Sequence, residues 1–306
     1  MALKIGSTSV SKMYKGSIEV TKGYLGSSLI YSIAAPSTAL TNSNFSTARN
    51  LWFTDQAQAE ATYGLIGDWN TTAVTNMKDA FFAQGVVSNT FNEDISNWDV
   101  SNVTNMENMF RSQSIFNQNI GGWNTGNVTN MSIAFSSTGL FNQNIGGWNT
   151  SSVTNISDIF SNSQSFNQPI GSWDVSNVTS LFGSFYNASA FNQDINAWNV
   201  SNVTTFHWAF KLANNFNQNI GGWDVSNAST IAQILNSTNL STSNYNLILI
   251  GWEADLQSKF PNGAGYSKTP SAGFGGTRYT IGGLAASARA SLISNFGWTI
   301  TDGGGI

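Results

Sequence analysis

From residue 91 to residue 240 the apolar positions of the chain keep a 25-residue period without insertion or deletion. Trp98, Trp123, Trp148, Trp173, Trp198 and Trp223 mark it, as do Ile95, Ile120, Ile145, Ile170, Ile195 and Ile220. Phe91, Phe116, Phe141, Phe166, Phe191 and Phe216 keep the same register, each followed by an asparagine: Asn92, Asn117, Asn142, Asn167, Asn192 and Asn217. Two more columns stay apolar while changing identity: Met106, Met131, Ile156, Leu181, Phe206, Ile231, and Phe110, Phe135, Phe160, Phe185, Phe210, Leu235. A fixed period of this length predicts stacked units, none able to bury its own apolar face, that form a core only by covering one another. The Trp, Phe and Ile columns are the predicted core, and the asparagine column predicts a ladder in which side-chain amides satisfy backbone groups at a corner.

Within one coil, residues 116–140, FNQNIGGW reads as an extended stretch, NTGN as a turn, and VTNMSIAF as a short helical or 3₁₀ turn opened by Thr129 as N-cap. The expected fold is therefore an α/β solenoid of 25-residue coils. With parallel strands about 4.8 Å apart, about seven coils would span roughly 30 to 35 Å.

Both flanks break the period. Residues 44–64 carry a helical pattern, with Ser46 or Thr47 as N-cap and Leu51, Trp52, Ala57 and Ala61 on one face up to Gly64. A degenerate first coil follows, with Trp69, Val74, Met77 and Phe81 in the later order and four extra residues before the strict register begins. After Leu240 the pattern predicts a helix from Asn244 to Phe260, a short strand Tyr279–Ile281, a helix Ala285–Asn295 and a last strand Trp298–Thr301. At the other end, Gly6-Ser7, Gly16-Ser17 and Gly26-Ser27 separate alternating runs that read as a small β-meander. Strands this short are marginal alone, so the segment is expected to dock on a partner, with Tyr14, Tyr24 and Tyr31 as its apolar handles. The expected division is 1–32 anchoring segment, 33–43 linker, 44–90 N-terminal cap and first coil, 91–240 regular repeats, and 241–306 C-terminal cap.

Composition narrows the chemistry. Only 9% of residues are charged and the net charge is −4, so there is no basic field for phosphates and no nucleic-acid partner is expected. Arg111 and Lys211 are the only cations between residues 91 and 240. No cysteine is present, and His207 is the only histidine, which removes disulfides, Cys-His dyads and multi-histidine metal sites. Asp94, Asp99, Asp174, Asp194 and Asp224 fall in two repeat columns shared with Asn and Pro and read as turn residues rather than as a glycosidase pair or a calcium site. No enzyme activity, cofactor or metal is expected. The opening MALKIGSTSVSKMYKG shows no apolar export signal, and no run is long enough to span a membrane. The Asn-Val-Thr triplets at Asn102, Asn127, Asn177 and Asn202 match glycosylation sequons, but their place in the repeat gives them a structural reading.

Binding candidates are aromatics that the register does not require. Phe182 and His207 share one variable column, Trp208 lies in the next, and Tyr186 follows the core Phe185. Column arithmetic brings the four together as a ligand-binding patch among Asn and Ser; the competing reading is local packing or a contact between protomers.

FNEDISNWDVSNVTNMENMF, residues 91–110, resembles the signature of the BspA-type leucine-rich-repeat surface proteins, and NLWFTDQAQAEATYGLIGDW, NLILIGW and GWTITDGG are similar to that family's flanking segments. The resemblance covers roughly residues 44 to 303 and implies a leucine-rich-repeat-like solenoid with a surface-adhesive role and no catalytic residues. IGSTSVSKMYKGSIEVTKGYLGSSLIYS resembles the Gly-Ser-punctuated start of many bacteriophage tail and virion proteins, which are made in the host cytoplasm without an export signal. Together these imply a virion-surface protein whose residues 1–32 hold other virion proteins while the repeats contact a host-surface glycan or protein, with self-association of the chain a further expected contact. The alternatives are a capsid decoration or head fibre without a specific receptor, and a cellular surface adhesin.

Overall fold

Inter-coil hydrogen bonds, rather than helices or long strands, organise the centre of the molecule. The computed structural model describes residues 39–82 and 90–306, and the backbone of three N-terminal strands. Those strands, β1 (Met13–Lys15), β2 (Ile18–Leu25) and β3 (Ser28–Ser32), pair antiparallel in the order β1-β2-β3. In their register Tyr14 is opposite Glu19, Tyr24 opposite Leu29, and Tyr31 opposite Lys22. The side chains of these tyrosines, the three Gly-Ser turns and residues 33–38 of the expected linker lie outside the described residues. Next come α1 (Phe45–Thr54), α2 (Gln56–Tyr63) and a 3₁₀ turn at Ile66–Asp68. The chain closes with α3 (Thr242–Lys259), a 3₁₀ turn at Pro261–Gly263, β4 (Ser271–Gly273), α4 (Leu284–Ser294) and β5 (Thr299–Thr301). Between the caps lies mostly irregular backbone. Among the described residues no helix is long and apolar enough to cross a membrane.

The expected strand through FNQNIGGW is absent, and the reason lies in its own spacing. Phe116, Ile120 and Trp123 all point inward, at intervals of four and three, which an extended strand with alternating faces cannot achieve. The chain kinks instead, through a turn from Trp123 N–H to the Ile120 oxygen (3.2 Å) and a side-chain-closed turn from Gly121 N–H to Asn119 Oδ1 (3.1 Å).

The expected helical turn is corrected as well. In residues 105–113 two left-handed residues, Asn108 and Ser112 at φ of 57° and 62°, interrupt any helix, and the hydrogen bonding alternates. Met109, Arg111 and Gln113 N–H groups close turns onto residues three earlier, whereas Met106, Asn108, Phe110 and Ser112 donate to Asn130, Ser132, Ala134 and Ser136 of the next coil at 2.8–3.0 Å. Glu107 N–H finds Asn105 Oδ1 at 2.9 Å. Every main-chain donor from Met106 to Gln113 is thus satisfied, half of them across coils. Thr129 is not a cap: its N–H and Oγ1 both donate to the Thr104 oxygen, at 2.9 and 3.1 Å. Isolated parallel bridges at Asn105–Asn130, Asn130–Asn155 and Ser180–Thr205 mark the ladder's edge.

Behind the ladder the apolar columns form one continuous core. Neighbouring rings are 5.2–5.7 Å apart from Phe110 to Phe210 and 5.9–6.2 Å apart from Phe91 to Phe216. The Trp123–Trp148, Trp148–Trp173 and Trp198–Trp223 pairs stand at 6.3–6.4 Å. The Phe110 column is thus spaced more closely than the tryptophan column.

Each cap takes over the columns of the coil that it covers. At the C-terminal end Trp252 Nε1 donates to the Ile220 oxygen (2.9 Å), while Ser241 N–H and Asn244 Nδ2 occupy Asn217. The ladder runs on through an Ile231–Ala272 bridge into β4, which pairs parallel with β5. The strand is therefore Ser271–Gly273, and Tyr279 makes a single bridge to Gly305. At the N-terminal end Arg49, 7% exposed, donates through Nη1 to the Asp79 oxygen (2.6 Å) and the Ala80 oxygen (3.3 Å), occupying carbonyls that no earlier coil can take. The single expected helix over 44–64 is two, because the Asp55 side chain caps a new helix by accepting Gln58 N–H. Asn44 rather than Ser46 or Thr47 is the first N-cap. The break resets the phase, so Ala59 is buried while Ala57 and Ala61 are exposed.

Candidate functional site

Three columns look outward from the ladder: those beginning at Glu107, Asn108 and Arg111. These side chains lie outside the apolar core, with Asn108, Ser132, Ser136 and Ser161 buried among their neighbours, so they are where coils can differ without loss of register. The first coils carry charge. Lys78 pairs with Glu107 at 2.9 Å, and the Arg111 guanidinium lies 4.6 Å over Phe82. Ser132, Ser136, Ser157 and Ser161 make the middle small and polar. The last coil carries Ala232, Gln233 and Asn236, and the two coils before it are aromatic.

There the structure brings Phe182, Tyr186, His207 and Trp208 together. Phe182 stacks on His207 with ring centroids 5.6 Å apart and planes within 9°. Trp208 sits 5.7 Å from Phe182, 5.9 Å from Tyr186 and 4.6 Å from His207. All four are partly exposed. Burial and the neighbouring Lys211 charge lower the His207 pKa, so the imidazole is neutral near pH 7.

Sequence reasoning passed over Lys211 and Gln233. Lys211 Nζ lies 5.0 Å from the Trp208 ring and donates to Gln233 Oε1 at 2.5 Å. The available signal was columnar, since Lys211 falls in the column of Tyr186. Gly183 was also missed: a Cβ there would meet Asp158 Oδ1 at 2.1 Å. Burial raises the Asp158 pKa, and the Arg111 charge opposes that shift.

The other singled-out residues serve the stack. Trp98, Trp123, Trp148, Trp173, Trp198 and Trp223 are at most 5% exposed and offer no face to a sugar. Each of the five from Trp123 to Trp223 donates Nε1 to the isoleucine oxygen of the preceding coil at 3.0–3.3 Å. The asparagine ladder runs on the surface: Asn92 Oδ1 accepts Asn117 N–H, and the pattern repeats through Asn142, Asn167, Asn192 and Asn217 at 2.8–3.0 Å. Sequon residues Asn102, Asn127, Asn177 and Asn202 donate Nδ2 to a carbonyl of the preceding coil at 2.7–2.8 Å. Asp94, Asp99, Asp174, Asp194 and Asp224 each accept the N–H two residues on. Serine hydrogen bonds hold Asp94, Asp99 and Asp174 below the usual carboxylate range. Among the described residues no three His, Cys, Asp or Glu side chains converge as metal ligands.

Two clefts lie away from the aromatic patch. One of about 380 Å³ between α2 and the first coils is lined by Glu60, Asp68, Glu93 and Asp94. Another of about 400 Å³ joins the last coil to Phe274–Thr277.

A family model described as "Mycoplasma protein of unknown function, DUF285" matches the chain twice, over residues 48–168 and 130–248. The overlap is what a repeated unit produces, and it agrees with the resemblance to BspA-type repeats. No curated protein and no solved structure matches the chain.

Proposed function

The chain belongs to the DUF285 family, and from that premise we propose that it is a non-enzymatic structural protein of a bacteriophage virion, displaying a leucine-rich-repeat-like solenoid for adhesion to the host surface. Residues 1–32 attach to other virion proteins, and the ladder face of the stack meets a glycan of the host envelope. The observation that carries this reading is the segregation of variation. Tryptophan, asparagine and threonine columns are tied into inter-coil bonds, whereas the outward ladder columns change from charged to small to aromatic to polar along the stack. A scaffold with one varying face is how repeat proteins are used for recognition. Neutral, hydrogen-bonding contacts of this kind are weak singly and gain avidity from many copies on one particle.

Negative-stain imaging of the parent particles, labelled with antibody against residues 91–240, tests the proposal. Label at the tail tip or baseplate supports host recognition, label over the head redirects the reading to decoration, and particles without label overturn it.

A further inference from the structure

We propose that Phe182, Tyr186, His207, Trp208 and Lys211 form a binding site for a sugar residue that carries a carboxylate, a uronic- or sialic-acid-type unit. The inference rests on the reading of the ladder face as a glycan-contacting surface and names the class of glycan. Three observations on the chain itself carry it.

First, Lys211 is a cation without a counter-ion. In a chain of net charge −4, Lys78 is paired with Glu107, and Lys259 with Asp224 and Asp255. Among the described residues Lys211 makes no ion pair; it contacts neutral Gln233 and the face of Trp208. An ammonium held against an aromatic face, with no acid to neutralise it, complements an anionic ligand next to an apolar one.

Second, Trp208 occupies a backbone position that does not suit it. Its φ is 60°, in a column whose other members are Asp79, Asn108, Ile133, Asp158, Gly183 and Gln233. A left-handed conformation favours Asn, Asp and Gly and is unfavourable for a bulky ring. The core behind it is already closed by Phe206, Ala209 and Phe210, each 0% exposed, so the indole packs outside the core, on Phe182, Tyr186 and His207. Its Nε1 is buried there without a hydrogen-bond partner. A bulky ring in this backbone conformation, added to the ladder face rather than to the core, fits a residue retained for binding.

Third, the cluster is polarised. Asp158 lies beyond Gly183 on the side away from Lys211. Arg111 already offsets the Asp158 charge at that end, so Lys211 is the cation left to draw a carboxylate, while the sugar's C–H face lies on the aromatic rings.

The repeat supplies substitutions compatible with folding. Ser136 and Ser161 stand where Lys211 does, and Asn108 where Trp208 does, so Lys211→Ser and Trp208→Asn import residues that the same ladder already holds. The full chain and these variants are titrated calorimetrically with galacturonate, glucuronate and sialic-acid-terminated oligosaccharides and with the methyl ester of each. At least one acid should bind about tenfold or more tighter than its ester, as expected for a charge-assisted contact. Lys211→Ser should bring acid and ester to parity, and Trp208→Asn should remove binding of both, with melting temperatures unchanged or raised. Equal binding of acid and ester by the unsubstituted chain overturns the carboxylate assignment while leaving glycan recognition standing. Wild-type binding by Trp208→Asn overturns the location, and no binding to any probe overturns the site. Failure of the virion reading would show separately, as unlabelled particles.

Discussion

The indole Nε1 of Trp148 donates to the main-chain oxygen of Ile120, one coil earlier, at 3.1 Å. The same side chain that fills the core therefore also fixes the register between coils, and Trp173 does the same to Ile145. Trp148→Phe keeps most of the apolar volume and removes one of the two hydrogen bonds that the Ile120 oxygen accepts, leaving the turn from Trp123 N–H in place. The expected cost of the lost bond is about 0.5–1.5 kcal/mol, read as a lowered urea midpoint. Trp148→Ala should cost more, about 3–5 kcal/mol, because it adds a cavity.

The surface ladder should behave differently. Asn142 Oδ1 accepts both Asn167 N–H and Gln168 Nε2, at 3.0 and 2.9 Å, yet the residue is exposed and water can replace it. Asn142→Ala is expected to cost about 1 kcal/mol. Asn142→Asp keeps the acceptor and should stay close to the parent. Equal losses in the two variants, measured by thermal unfolding, would mean that the amide nitrogen rather than the oxygen matters.

The first coil depends on Arg49. Its guanidinium satisfies the Asp79 and Ala80 oxygens from a buried position, where burial lowers its pKa and the Asp79 charge opposes that shift. Arg49→Met removes the charged donor from both carbonyls, leaving the Asp79 oxygen only its turn from Phe82 N–H. Hydrogen bonds to charged groups are worth about 1.5–3 kcal/mol each, so hydrogen exchange at the Met77, Asp79 and Phe81 amides should accelerate while that at Phe160 and Phe185 is unchanged.

The repeat register, the core columns and the proximity of Phe182 to His207 are legible in the sequence, because a fixed period turns residue arithmetic into geometry. The alternating hydrogen bonding is not. Met106, Met109, Phe110 and Gln113 are all buried, a spacing that a helical turn and this run of turns with left-handed residues at Asn108 and Ser112 share, so inward pattern alone cannot separate them. Likewise Asp55 reads as one polar residue inside a helix until its side chain is seen capping Gln58. Lys211 escapes notice as a binding residue because a lone lysine in a solvent-facing column looks solvated; the missing acid together with the Trp208 face distinguishes it.

Acid should loosen the C-terminal cap. Burial pushes the Asp302 carboxyl up, but hydrogen bonds from Arg289, Tyr245 and Gly304 N–H, with the Arg289 charge, outweigh it and lower the pKa overall. A depressed folded-state pKa gives stability that is present above the unfolded value, about 3.9, and is lost as pH falls through the folded value. Melting temperature should therefore drop below about pH 4, and Asp302→Asn should flatten that limb while lowering stability at pH 7. An unchanged acid limb in the variant would assign it to other carboxylates.

Gly183 and Asp158 form a pair whose coupling can be measured. Gly183 has φ of 57°, and a Cβ would stand 2.1 Å from Asp158 Oδ1. Two effects thus oppose Gly183→Ala: the left-handed backbone, costing about 1–2 kcal/mol, and the clash with a half-buried carboxylate. Only the second disappears in Asp158→Ala. Ile133 and Asn108 keep the same backbone conformation in this column with side chains present, so the fold tolerates the first. Asp158→Ala should therefore recover the clash part of the Gly183→Ala loss, and a double-mutant cycle of thermal stabilities should give a coupling energy in the range seen for residues in contact, about 0.5–3 kcal/mol. Strict additivity would mean that Asp158 swings out toward solvent at no cost, leaving Gly183 held by backbone conformation alone.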